Sequence, residues 1–136
     1  MSMRLIVPKL DLDMGVEDGT TQKAMRFGPA LFEYSNLPGD GDKNVSIAAH
    51  REGGVFFHLD KVGEGDYIYV VYDEILFRYM FYDVNDVMPT NWDIISNQGF
   101  PCVTLVTCTP LGIANKRMVV RGKLVDMAVF SEDLIQ

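Results

Sequence analysis

Cys108 is the residue in this sequence whose position best suits chemistry. It ends a predicted strand that begins at Cys102, and the following Thr109-Pro110 stops a strand ladder because proline lacks a backbone N–H. A thiol at a strand end beside a loop is accessible to solvent and substrate. A free cysteine thiol has a pKa of about 8.5, so a neighbouring base or cation is needed to raise the thiolate fraction at neutral pH. The chemistry indicated is nucleophilic attack with a covalent intermediate.

Two further residue types would complete such a site. His50 is the natural base, since it follows a predicted strand at 44–49 and precedes the polar, flexible segment 51–54. The oxyanion of a tetrahedral intermediate needs a fixed donor, which is commonly the largest catalytic contribution. Arg117 and Arg121 both suit that role, and being four apart in a predicted strand they share a face. These residue types more often have structural roles: a cysteine at a strand end is more often packed in the core, a histidine lies at the surface, and a strand arginine pairs with a carboxylate.

The remaining cysteine and the acidic residues do not indicate a metal site or a disulfide. Cys102 and Cys108 are six residues apart in one predicted strand. At a rise of about 3.3 Å per residue they lie about 20 Å apart, too far for a disulfide. The two cysteines and two histidines lack the spacing of a structural zinc site. Glu64 and Asp66 are too ordinary a pair to indicate calcium, so we predict no metal and no cofactor.

The elements that must position these residues are short β-branched and aromatic runs separated by turn residues. Strands are predicted at 4–7, 44–49, 66–72, 75–84, 102–108 and 117–125. A hairpin turn is predicted at Asp73-Glu74. Helical structure is predicted within 15–28, over 55–62 and as a brief turn at 92–96. This pattern is typical of an all-β barrel or sandwich.

Bulk composition narrows the possible partners. The 136 residues, 48% of them hydrophobic, suit one domain with a single core. A formal charge of −7 argues against nucleic acid and anionic membrane surfaces as partners, because polyanions are repelled. The uncharged stretch 99–115 contains two prolines and two glycines and falls short of the roughly 18 apolar residues that a spanning helix needs. We expect the chain as given to be soluble, with any membrane anchor outside it.

The segment around Cys108 resembles a known family. The run Thr104-Leu105-Val106-Thr107-Cys108 matches the TLxTC signature of sortases, and residues 108–122 resemble the TCTPxGxNxxRLxVRG stretch of class C, pilus-assembling sortases. Upstream, residues 47–51 (IAAHR) resemble the family's AGHR, residues 6–10 its opening strand and residues 37–39 its turn before the histidine. The resemblance extends over roughly residues 4–126.

The resemblance implies an activity and a role for each site residue. Sortases are cysteine transpeptidases that cleave an LPxTG-like sorting signal and transfer its acyl group to an amine. By this likeness Cys108 is the nucleophile, His50 the general acid and base, and Arg117 the residue that holds substrate and stabilises the oxyanion. Arg121 then has a structural or ion-pairing role, and Cys102 is a packing residue.

The resemblance also implies the fold and the partners. It predicts an all-β fold, a closed β-barrel of about seven or eight strands with one to three short helices, in a single catalytic domain over residues 1–136. The implied partners are surface proteins or pilins bearing the sorting signal, and an amine acceptor that is a cell-wall precursor or a pilin lysine. The implied location is the extracellular face of the cell membrane, through an anchor outside this chain. No metal or organic cofactor is implied.

Several features leave alternatives open. Ala49 replaces the glycine that usually precedes the histidine, and the Asp-Pro-aromatic lid motif of class C is not found, while residues 50–57 resemble class D instead. The subclass is therefore either class C-like or class D-like. A cysteine hydrolase resolved by water and a non-catalytic β-barrel binding module are the alternative functions. His58 is expected to face solvent or a groove rim, and Trp92 to be a groove or core aromatic residue.

Overall fold

The computed structural model describes residues 2–135, in which every strand belongs to one sheet. The strands are β1 (Met3–Val7), β2 (Leu12–Gly15), β3 (Glu17–Asp18), β4 (Ala30–Leu31), β5 (Asn44–Ala48), β6 (Tyr67–Tyr72), β7 (Ile75–Val87), β8 (Cys102–Thr109) and β9 (Lys116–Val129). Their order in the sheet is β2-β1-β6-β7-β9-β8-β5-β4-β3. One α-helix, α1 (Gln22–Phe27), and four 3-10 segments accompany them, at Pro8–Leu10, Leu59–Lys61, Trp92–Ile95 and Glu132–Ile135.

The sheet nearly closes into a barrel at Val16. The two strands at its edges, β2 and β3, are consecutive in the chain, with Val16 between them. The N–H of Val16 donates to the carbonyl oxygen of Met3 at 2.8 Å, which continues the pairing of β2 with β1. Counted as one bent strand, β2 and β3 make this an eight-stranded barrel. The predicted all-β barrel of about seven or eight strands is confirmed, and the sandwich alternative is not what the chain forms.

Alternate side chains of the strands fill the barrel interior, as the period of two requires. Leu5, Ile47, Val70 and Leu105, from four different strands, are among the buried members of one hydrophobic cluster. The ring of Tyr79 also lies inside, where a Cβ on Gly122 would be 3.0 Å from the Cβ of Tyr79. Glycine at position 122 therefore leaves room for a buried aromatic ring.

The predicted hairpin is present, whereas one predicted helix is not. Asp73 and Glu74 form the two-residue turn between β6 and β7, both with positive φ (53° and 63°), as a type I′ turn requires. The helix expected over 55–62 is instead a series of turns that leads into the 3-10 segment Leu59–Lys61. The physical reason is that the N–H of Phe56 donates to the carbonyl oxygen of His50, which bends the chain back around the histidine.

A second departure is the length of the ladder between β7 and β9. These strands were expected to end at residues 84 and 125 but extend to Val87 and Val129, with register shifts between Arg78 and Tyr79 and between Phe81 and Asp83. Such irregularities allow a long strand pair to bend around a barrel while pairing continues. The outcome is a continuous antiparallel framework on one side of the site described below.

A buried polar cluster, formed by Asn44, Ser46, Thr104 and Arg121, fixes the segment between β7 and β8 to the outside of the barrel. The side-chain amide of Asn44 donates to the carbonyl oxygens of Ile94 and Ser96, each at 2.9 Å. Its Oδ1 accepts from the Thr104 hydroxyl at 2.7 Å. Arg121 donates to the Thr104 hydroxyl and to the Ile94 carbonyl, both at 3.3 Å. The 3-10 segment Trp92–Ile95 is thereby held against the sheet.

We expect Asn44→Ala to lower the free energy of unfolding by about 2–3 kcal/mol, because it leaves buried carbonyl and hydroxyl groups without their partner. Chemical denaturation of the purified variant measures this. Asn85→Ala is the matched control, since Asn85 is exposed and its side chain bonds Asp83 at the surface; a change within about 0.5 kcal/mol is expected there. Equal effects of the two substitutions would contradict a stabilising role for the buried cluster.

Candidate active site

A cavity of about 550 Å³ opens where β5 and β8 end and β9 begins, and Cys108, His50 and Arg117 all line it. Cys108 is paired directly with Arg117 across the antiparallel strands β8 and β9. On its other side β8 runs parallel to β5, with Ala48 opposite Val106, and the chain leads from there to His50. Neighbouring strands are about 4.8 Å apart. The sheet therefore brings the thiol, the imidazole and the guanidinium to one place.

Two side-chain hydrogen bonds align Cys108 with His50. The hydroxyl of Thr107 donates to the carbonyl oxygen of Ala49 at 2.9 Å. The hydroxyl of Thr109 accepts from Nη1 of Arg51 at 3.1 Å. The residues on both sides of the cysteine are thus tied to the residues on both sides of the histidine. Neither tie was expected from the sequence, although the two threonines flank the cysteine in the signature.

The buried side chain of Arg51 joins several segments of the chain, a role that sequence analysis did not predict. Its side chain is only 8% exposed. Its Nε donates to the carbonyl oxygen of Phe57 at 3.2 Å, and its Nη2 forms an ion pair with Asp60 at 3.3 Å. Since the same guanidinium also bonds Thr109, it joins the turns after His50 to the end of β8. The sequence shows an arginine next to the histidine, but it does not show the bonding partners of that arginine, one of which, Thr109, is distant in the chain.

Contacts on two sides hold His50 itself. Its backbone N–H donates to the carbonyl oxygen of Met25 in α1 at 3.2 Å, and its ring Nε2 lies 3.0 Å from Oε1 of Gln22. On the other side, Gly54 packs against the histidine backbone. A Cβ on Gly54 would lie 2.6 Å from the carbonyl carbon of His50 and 2.7 Å from its Cβ. Only glycine therefore allows the chain to return so closely past the histidine.

The two candidate arginines occupy different environments. Arg117 is partly exposed in the cavity, where Nη1 donates to the carbonyl oxygens of Ala114 and Lys116 at 3.2 and 3.0 Å. No carboxylate in residues 2–135 forms an ion pair with it. Arg121 is buried in the polar cluster, and its hydrogen bonds there are structural. Arg117 and Arg121 thus lie on the same face of β9, the first at the cavity and the second beneath the 3-10 segment Trp92–Ile95.

The loop between β8 and β9 is tied to the segment after the histidine at the cavity mouth. The Glu52 carboxylate accepts a hydrogen bond from the backbone N–H of Gly112. Both residues line the cavity. This contact fixes the distance between the loop that precedes Arg117 and the segment that follows His50.

The other residues singled out in the sequence lie apart from the reacting groups or in the wall of the cavity. Cys102 is fully buried, and burial raises the pKa of its thiol, with partial compensation from Arg121. Both cysteines are free, and only Cys108 is partly exposed. His58 is exposed with its ring edge against Phe57, 4.7 Å between centroids. Trp92 is 65% exposed and lines the cavity, so it is a groove aromatic residue.

Much of the cavity wall around Cys108, His50 and Arg117 is apolar. The apolar side chains come from α1, from the residue after β4, from the segment between β7 and β8, from strands β5 and β8, and from the loop between β8 and β9; they include Met25, Phe32, Ala48, Met88, Trp92, Ile94, Val106 and Leu111. An arrangement of this kind binds an apolar or extended ligand and presents one bond of it to a nucleophile, a base and a fixed cation. Acyl transfer is the chemistry that this set of groups suits.

Among the described residues, no group of three or more histidine, cysteine, aspartate or glutamate side chains is arranged to hold a metal ion. None of the helices in that part of the chain has the length and apolar character to cross a membrane.

Comparison with known proteins gives consistent matches. A family model described as the sortase domain matches residues 5–125. Sortase A of Bacillus anthracis is 30% identical over 125 residues, which are 90% of this chain and 59% of that protein. The chain thus spans about three-fifths of the length of this relative.

Solved structures resemble the fold closely. Sortase A of Listeria monocytogenes superposes with a TM-score of 0.87 at 27% identity, covering 97% of this chain and 92% of that chain. Sortase C of Clostridium perfringens, solved with the C-terminal cell wall sorting motif, superposes with a TM-score of 0.82 at 25% identity, covering 90% and 69% of the two chains. Since the family model covers most of the sequence, this chain belongs to the sortase family.

Proposed function

We propose that this chain is the catalytic domain of a cysteine transpeptidase that cleaves an LPxTG-like sorting signal and transfers the acyl group to an amine. One observation carries the proposal: Cys108 lies on the central strand of three, with its cross-strand partner Arg117 on one side and the strand leading to His50 on the other. All three side chains line one cavity. Family membership supports the same assignment.

The cavity suits the apolar part of such a signal. Leucine and proline, which begin the motif, contribute apolar surface that is favourably removed from water against Met88, Trp92 and Leu111. An extended peptide lying along this wall presents its Thr-Gly bond to the polar end of the cavity. The buried polar cluster contributes indirectly, because it holds the segment that carries Trp92.

Acylation follows from the positions of the three groups. The thiolate of Cys108 attacks the carbonyl carbon of the Thr-Gly bond, and negative charge develops on the carbonyl oxygen. The guanidinium of Arg117 stabilises that oxyanion, since it lines the cavity and pairs with no carboxylate in the described part of the chain. The protonated imidazole of His50 gives its proton to the glycine nitrogen as the carbon–nitrogen bond breaks. A thioester on Cys108 remains.

Deacylation reverses these roles. An incoming amine attacks the thioester carbonyl, His50 takes a proton from the attacking nitrogen, and Cys108 leaves as the thiolate. A cell-wall precursor amine or a pilin lysine is the acceptor that we propose. We further propose that the protein acts at the extracellular face of the cell membrane, through an anchor outside this chain. Surface proteins or pilins bearing the sorting signal are its substrates.

We expect Cys108→Ala to abolish cleavage of a fluorogenic LPxTG peptide and to remove the covalent thioester adduct detected by mass spectrometry. The unaltered chain should cleave the peptide faster, and form a peptide–amine product, when an amine is added. Cys102→Ala is the control, and full activity is expected because that thiol is buried outside the cavity. Cleavage indifferent to the amine identifies a hydrolase, whereas absence of both cleavage and adduct identifies a binding module.

We expect Arg117→Ala to reduce kcat/KM by an amount equivalent to roughly 3–4 kcal/mol, the cost of losing one oxyanion donor. Lys116→Ala removes one positive charge from the adjacent exposed position and should leave kcat/KM nearly unchanged. Arg121→Ala should act mainly on stability, through the buried polar cluster. A fully active Arg117→Ala enzyme beside a folded but inactive Arg121→Ala enzyme would show that the other arginine serves the reaction.

We expect Gly54→Ala to lower kcat/KM on the order of 10- to 100-fold, because the added methyl displaces the His50 backbone that it would otherwise overlap. Steady-state kinetics together with thermal unfolding measure the effect. Gly63→Ala is the matched control, since a Cβ at position 63 meets no atom within 4 Å. Wild-type kinetics in a correctly folded Gly54→Ala protein would mean that the contact does not position the histidine.

A further inference from the structure

We propose that Gln22 is a positioning residue. It fixes the orientation of the His50 ring and keeps one proton on Nε2, so that Nδ1 is the nitrogen that gains and loses the proton transferred in the reaction. The inference rests on the proposed function and adds a residue outside the family signature quoted above. Oε1 of Gln22 lies 3.0 Å from Nε2 of His50, at hydrogen-bonding distance. Gln22 also lines the cavity. It is the only side chain in the described residues that forms a hydrogen bond with this ring.

The helix that carries Gln22 is fixed relative to the histidine by the backbone as well. Gln22 is the first residue of α1, and Met25, three positions later, accepts the backbone hydrogen bond from His50. Helix α1 thus contacts the His50 ring through the Gln22 side chain and the His50 main chain through the Met25 carbonyl oxygen. The histidine is therefore held by two points of a single element.

The start of α1 is anchored independently. The hydroxyl of Thr21 caps the helix by accepting from the backbone N–H of Ala24 at 3.1 Å. The Glu33 carboxylate accepts from the backbone N–H of Thr20 at 3.0 Å and from its hydroxyl at 2.6 Å. These bonds place the residues just before Gln22, so its amide reaches the ring from a defined backbone position. Gln22 is itself exposed, so its reach to the ring depends on this support of the backbone.

The orientation of the Gln22 amide, with Oε1 toward the ring, is the basis for assigning a proton to Nε2 of His50. An amide oxygen accepts hydrogen bonds and cannot donate them, so Nε2 of His50 carries a proton while it bonds Gln22. Nδ1 is then the nitrogen that changes protonation during the reaction. In acylation the Nδ1 proton passes to the departing glycine nitrogen, and in deacylation Nδ1 takes a proton from the attacking amine. The Nε2–H bond to Gln22 persists through both steps.

Gln22 differs from the charged groups around the ring because it is neutral. The titratable and charged residues lining the same cavity are Cys108, Arg117, Arg51 and Glu52. Arg51 is paired with Asp60, and the Glu52 carboxylate is bonded to a backbone N–H. On α1, Lys23 and Arg26 are exposed. A neutral acceptor orients the ring without adding a charge that would favour the imidazolium.

We expect Gln22→Met, which keeps the length of the side chain but not the acceptor, to lower kcat/KM roughly five- to tenfold, the equivalent of one neutral hydrogen bond. Gln22→Glu should retain the acceptor and move the alkaline limb of the pH profile of kcat/KM upward by about half a pH unit or more, because a carboxylate favours the protonated ring. Lys23→Met, a neighbour on the same helix, should change neither quantity. Thermal unfolding checks that all three variants are folded.

A measurement that needs no activity tests the proton assignment directly. The chain has two histidines, so His58→Gln leaves His50 as the one imidazole for nitrogen-15 NMR. We expect the neutral ring to be the Nε2–H tautomer, with Gln22→Met shifting it toward a mixture. A dominant Nδ1–H tautomer, or pH profiles of Gln22→Met and Gln22→Glu identical to that of the unaltered enzyme, would overturn the proposal. Persistent cleavage by Cys108→Ala would instead contradict the proposed function and leave the tautomer result standing.

Discussion

The pairing of β5 with β8 is the constraint on which the site depends. Thr107 and Thr109 bond to Ala49 and Arg51, respectively. Cys108, between the two threonines, therefore faces His50, between their two partners. The alignment of the sulfur and the imidazole therefore comes from the strand pairing, extended beyond the end of β5 by these two side-chain bonds. Because parallel strands cannot be joined by a tight turn, the chain between them is long, and it builds much of the rest of the barrel.

The elements around this pairing supply what the two strands cannot. The β9 strand adds Arg117 by antiparallel pairing with β8, directly opposite the cysteine. The buried polar cluster holds the Trp92–Ile95 segment over the outer face of the same strands and so forms the apolar wall. Helix α1 and the glycine at position 54 confine the histidine from opposite sides. These elements position Arg117 and His50 and form the cavity wall, and the sheet holds both residues next to Cys108.

Local patterns predicted much of the fold and part of the site. The alternation from 102 to 108 and the turn at Asp73-Glu74 depend on neighbouring residues, and both are present as expected. The ties from Thr107 and Thr109 connect residues 58 apart, and the contact from Gln22 to His50 spans 28, so no local pattern contains them. Alternation alone did not separate Arg117 from Arg121, because both lie on one face; the family resemblance made that choice. The expected helix over 55–62 failed for a similar reason, since the chain there is bent by a bond to His50.

The barrel closes at Val16 through its shortest strands, and the parts of the site near this closure are less firmly held than the parts on the long strands. Cys108 and Arg117 lie on long ladders, whereas α1, which holds His50, is placed between β3 and β4, two strands of only two residues each. Local opening requires least free energy where ladder bonds are few and exposed. Fluctuations of this seam thus act on the contacts that α1 makes with His50, while the bonds from Thr107 and Thr109 keep the histidine backbone beside β8. Proton transfer, and not nucleophile placement, is the step whose geometry this architecture leaves adjustable.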